Sequence, residues 1–142
     1  MAGAGRAAAG RWRPGLIMRR PLPAGNVPMM TETQRLLALQ LRMAVEAIIG
    51  APSVDTFNTL SKIFAALCAC GMVGDAIDLA TDTMCVICDR YERVQRIGVK
   101  EGEAAALRLA ADGIDARLSM IPINKLRRAI AEVEIFCASV GA

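Results

Sequence analysis

Apolar side chains recur at intervals of three and four residues through most of this 142-residue chain, and the pattern begins at Thr31. That spacing places them on one side of a 3.6-residue helix. The run opens on Thr-Glu-Thr-Gln, a capping box in which the Thr31 hydroxyl accepts from the Gln34 amide and the Gln34 side chain reaches back. The pattern predicts a first helix to about Ile49, with Leu37, Leu41, Ala44, Val45 and Ile48 inward, stopped by Gly50 and Pro52. Ser53 caps a second helix whose apolar face is Phe57, Leu60, Phe64, Leu67 and Cys68, closed by Gly71. Asp75 caps a third, extending to about Ile97, with Ile77, Ala80, Met84, Ile87, Cys88, Tyr91 and Val94 in one stripe. A fourth covers about Glu101 to Met120 around Leu107, Ala110, Ile114 and Leu118. Pro122 opens a fifth, lined by Leu126, Ile130, Val133, Cys137 and Val140.

Period-two alternation bounded by turn pairs is absent, as is any internal repeat of 20–50 residues, so neither a sheet nor a solenoid is expected. The prediction is an all-α compact bundle of about five helices, antiparallel where connectors are short, with residues 30–142 as one helical domain. Gly113 lies inside the fourth helix at a cost of about 1 kcal/mol relative to Ala. Either a neighbouring helix packs closely there or the helix bends.

Composition changes the picture mainly at the N-terminus. Residues 1–29 carry Arg6, Arg11, Arg13, Arg19 and Arg20 without an acid, and Pro14, Pro21, Pro23 and Pro28 interrupt any helix. This stretch reads as a disordered basic tail; translation starting at Met29 or Met30 accounts for the abrupt change equally well. It resembles a mitochondrial transit peptide in composition, but its prolines spoil an amphipathic helix, and no apolar segment of secretory length follows the arginines. The remaining 113 residues hold 12 basic and 14 acidic side chains, so the body of the chain is nearly neutral. The longest uncharged run, Ile63 to Gly74, is twelve residues, against about 20 for a membrane span.

Candidate chemistry is sparse. The chain has no histidine, which removes the commonest general base and metal ligand together. Cys68 with Cys70 and Cys85 with Cys88 offer four thiols for zinc, an iron–sulfur cluster or a redox sensor. Cys85 and Cys88 share a helical face, but Cys68 and Cys70 are about 200° apart around an axis, so small buried hydrophobes are the simpler expectation. With Cys137 the five cysteines make an odd number, which suits a reducing compartment rather than a disulfide framework. Arg90, Arg93 and Arg96, with Lys100 four further on, would gather in one arc if the third helix continued, with Tyr91 nearby to stack on a base. The interleaved Asp89 and Glu92 and the neutral body favour a solvated helix end over a nucleic-acid site. The cluster of Lys125, Arg127, Arg128, Glu132 and Glu134 reads as a solvated face. The acidic pairs Glu101/Glu103 and Asp112/Asp115 read as caps and surface charges. Met43, Met72, Met84 and Met120 sit in or beside helices, where core filling is simpler than an adaptable partner groove.

Landmarks in these helices resemble a group of small helical proteins from proteobacterial prophages and other mobile elements. They are Asp-Thr-Phe-Asn-Thr-Leu at 55–60, Ala-Leu-Cys-Ala-Cys-Gly-Met at 66–72, and the 89–98 segment with Tyr91 and Gly98. Glu103 with Leu107, Asp-Ala-Arg-Leu at 115–118, and Leu-Arg-Arg-Ala-Ile from Leu126 follow. The likeness spans about residues 51–135 and departs from the group in its cysteines. It implies a cytoplasmic bacterial accessory protein and brings no activity or cofactor with it. The expectation is a non-enzymatic interaction module that binds a protein partner or itself, with a nucleic-acid regulator and a cysteine-based sensor as alternatives.

Overall fold

A computed structural model describes residues 31–141; the tail expected to be disordered over 1–29 lies outside them. Five α-helices follow in order: α1 (Glu32–Gly50), α2 (Val54–Ala69), α3 (Asp75–Val94), α4 (Glu101–Asp115) and α5 (Ile123–Val140). A single 3-10 turn, Leu118–Met120, separates the last two, and no strand occurs among the described residues. The fold is an all-α bundle. Helices α1 to α4 close a ring in which each packs on the next and α4 returns to α1, while α5 lies against the outside of α2.

The inward stripes supply the core. Leu41, Ile48, Leu60, Leu67, Ile87, Leu107, Ile114 and Leu118 are fully buried, each contributing about 1.5–3 kcal/mol by leaving water. Both bonds of the Thr31–Gln34 capping box form, at 2.8 and 3.2 Å. Ser53 and Thr56 form a second, at 2.9 and 3.1 Å. Of the two readings of Gly113, close approach holds: a Cβ there would stand 2.7 Å from the Cβ of Ala76 on α3.

Several ends and faces depart from the sequence pattern. Gly74, not Asp75, occupies the N-cap of α3, at φ 126°, and Asp75 is the first helical residue. That backbone conformation suits glycine, and a Cβ would also meet the Arg117 guanidinium at 2.9 Å. Helix α3 stops at Val94 rather than Ile97, because Gln95 turns left-handed at φ 58° and donates its N–H to the Tyr91 carbonyl. Val94 is consequently exposed, while Ile97 and Val99 beyond the turn pack against the core.

Helix α4 stops at Asp115 rather than Met120. The buried Gln34 side chain donates to the carbonyls of Leu118 (2.9 Å) and Ile121 (2.7 Å), holding a tight turn where a continuing helix was expected. Cys68 is exposed although its helical position suggested a core residue; Cys70 is buried instead. On α5, Leu126 and Ala129 are buried, but Ile130, Val133 and Cys137 are half-covered and Val140 is exposed, because α2 alone supports this helix closely.

Candidate functional site

The cysteine pairs do not come together as a ligand set. Among the described residues, no three His, Cys, Asp or Glu side chains are grouped where they could hold a metal ion. Cys68 and Cys85 are exposed, whereas Cys70 is buried with its Sγ 3.7 Å from the Lys125 carbonyl, to which it donates. Burial pushes the Cys70 thiol up, against a smaller opposing pull from the Lys125 charge. Burial, followed by the nearby Glu92 and Asp89 charges, pushes Cys88 up as well. Both thiols therefore stay protonated at neutral pH, the poorly nucleophilic form.

The basic arc is dismantled by the end of α3. Because the helix terminates at Val94, Arg96 and Lys100 leave the line that a continuing helix would have given them. Arg90 is turned inward: Nη1 donates to the Gly98 carbonyl at 2.8 Å, and Nη2 pairs with the Glu103 carboxylate on α4. Both side chains are about 15% exposed. Burial opposes ionisation of Glu103, but hydrogen bonds from Arg90 and from the Lys100 amide outweigh it and hold the carboxyl below its ordinary value. Arg90 is thus a clamp between α3 and α4. Arg93 and Arg96 are exposed, and Tyr91 is half-buried.

Two further arginines stitch α1 to α4. Arg42 donates to Asp112 and to Asp115, both at 2.8 Å, and Arg108 grips both oxygens of Glu46 at 2.8 Å. The acidic pair at Asp112 and Asp115 is therefore an anchor for one arginine. Nothing in the local sequence signals these pairs, because the partners are 62 to 73 residues apart.

The exposed surface also carries apolar side chains beside two grooves. On α1, Leu36 (53% exposed), Leu39 (55%) and Met43 (61%) form a second stripe, on the side away from the core. Below it, Met43 and Ala47 face Thr59, Lys62 and Ile63 of α2 across a groove of about 470 Å³. A second groove, of about 330 Å³, runs between α2 and α5, where Ser61, Lys62 and Ala65 face Val133, Phe136 and Cys137. Lys62 borders both. Ile135 (70%) and Phe136 (65%) add large exposed side chains on α5. The sequence pattern assigned one apolar face to each helix and missed the outer one, although Leu36, Leu39 and Met43 carry the same three-and-four spacing.

No helix among the described residues is long and apolar enough to cross a membrane. Comparisons with protein-family models, with curated proteins and with solved structures found no match for this chain.

Proposed function

We propose that this protein is a non-enzymatic helical interaction module that binds a second protein or itself. The observation that carries this reading is the apolar surface outside the core: Leu36, Leu39 and Met43 on α1, and Ile135 and Phe136 on α5, beside two apolar-walled grooves. Large exposed side chains gathered in this way are a feature of docking surfaces. Helix faces flanking a groove suit an amphipathic helix from a partner. The absence of histidine from the sequence, and the inward-turned or anchored state of Arg90, Asp112 and Asp115, agree with a binding role. The five free thiols suit the cytoplasm, and the resemblance to prophage proteins suits an accessory protein of a bacterial mobile element.

Size-exclusion chromatography with light scattering, together with affinity capture, tests this reading. The expected result is an oligomer or a captured protein that is lost when the exposed apolar surface is charged, either by changing Leu39 and Met43 both to Lys on α1 or by Ile135→Glu on α5, with the fold intact by circular dichroism. A strict monomer that retains no protein overturns it.

A further inference from the structure

We infer that the outer face of α5 is an antiparallel self-pairing surface whose occupant is α5 of a second copy of this chain. The inference rests on the module reading above and names the partner. Asn124, Arg128, Ala131, Ile135 and Ala138 are all exposed and are spaced four, three, four and three residues apart. This is the repeat of a two-helix seam, here with Ile135 as the large apolar side chain and two alanines that permit close approach.

Charge decides the orientation. The flanks of this seam carry Lys125 and Arg127 in the first half of α5, and Glu132 and Glu134 in the second. Together with Arg128, these side chains make no ion pair among the described residues, even though Arg128 and Glu132 are one helical turn apart. Arg127 and Glu134 occupy one flank, seven residues apart; Lys125 and Glu132 occupy the other, also seven apart. When two copies of α5 run antiparallel, equivalent flanks meet. Arg127 then falls beside Glu134 of the second copy and Lys125 beside Glu132, each pair occurring twice by two-fold symmetry. A parallel pair would match Arg127 with Glu132 and leave Lys125 and Glu134 unmatched. The antiparallel register satisfies all four charges.

The seam is short, so association is weak and concentration-dependent, with the apolar contact supplying attraction and the charges direction. Sedimentation equilibrium of the full chain over a micromolar concentration series tests the inference. A reversible dimer is expected. Ile135→Glu should abolish it without changing the far-ultraviolet spectrum or melting temperature, since Ile135 is 70% exposed. Arg127→Glu should weaken the dimer about ten-fold by replacing two attractive contacts with two repulsive ones. The swap of both, Arg127→Glu with Glu134→Arg, should restore it in an antiparallel pair and fail to do so in a parallel one. A monomer at every concentration overturns the inference, as does a double swap no tighter than Arg127→Glu alone. An oligomer that survives Ile135→Glu but dissociates with Leu39→Lys and Met43→Lys overturns it while leaving the module reading intact.

Discussion

Gln34 shows how much one side chain can organise. Its Oε1 accepts from the Thr31 amide at the start of α1, and its Nε2 donates to two carbonyls of the turn after α4. Gln34→Met keeps the volume but removes three hydrogen bonds and strands two carbonyls. The expected loss is about 2–4 kcal/mol in urea denaturation, since each buried polar group left unpaired costs about 1–3 kcal/mol. At Gly113 helix propensity and packing oppose one another. Alanine is favoured by about 1 kcal/mol in a free helix, but here its methyl would meet the short, rigid Ala76 side chain at 2.7 Å. Overpacking of this kind costs about 1–3 kcal/mol, so Gly113→Ala should be net destabilising, and less so in an Ala76→Gly background. Gln95 holds a left-handed conformation at φ 58° that glycine adopts without penalty. Gln95→Gly should raise stability by roughly 0.5–1 kcal/mol.

At the scale of elements, the clamp between α3 and α4 sets an acid response. The Glu103 carboxyl is held below its ordinary value of 4.5 in the folded protein, so below that pH the unfolded chain takes up more protons. Its contribution is therefore full above about pH 4.5 and is lost as pH falls through the depressed folded value. Glu103→Gln should cost roughly 1.5–3 kcal/mol at pH 7 and flatten the stability curve below pH 4.5, measured by thermal melts across pH. Helix α5 behaves differently along its length. Leu126 and Ala129 are buried near its start, whereas its last two turns carry exposed Ile135, Phe136 and Val140. Amide exchange should be slow near Leu126 and fastest among the helices from Val133 to Val140. Self-pairing would slow exchange along α5 as concentration rises.

For the whole molecule, the core and the exposed apolar surface are separable. Leu60 on α2 belongs to the core and has no exposure, and Leu60→Ala should cost about 2–5 kcal/mol. Leu39, on the outer face of α1, is more than half exposed, so Leu39→Lys should change stability by no more than about 0.5 kcal/mol while altering association. The α1–α4 stitches are exposed ion pairs and set the relative placement of the two helices more than their stability. Arg108→Ala should leave the melting temperature nearly unchanged.

The number and type of the elements were legible in the residues themselves. Helical spacing, the Thr31–Gln34 capping box, the Ser53 cap and the Gly50–Pro52 stop act within a few residues, so local chemistry is enough to specify them. The inward residues of α1 follow for the same reason, since a stripe such as Leu37, Leu41 and Ile48 has one energetically acceptable side to bury. Tertiary structure alone decided where α3 and α4 end, which arginines turn inward and which apolar residues stay outside. Gln34 intercepts the turn after α4 from more than 80 residues away, and Arg90 meets Glu103 only once α3 and α4 have packed together. Periodicity registers that Leu36, Leu39 and Met43 share a face; whether a neighbour covers that face depends on how the other helices pack.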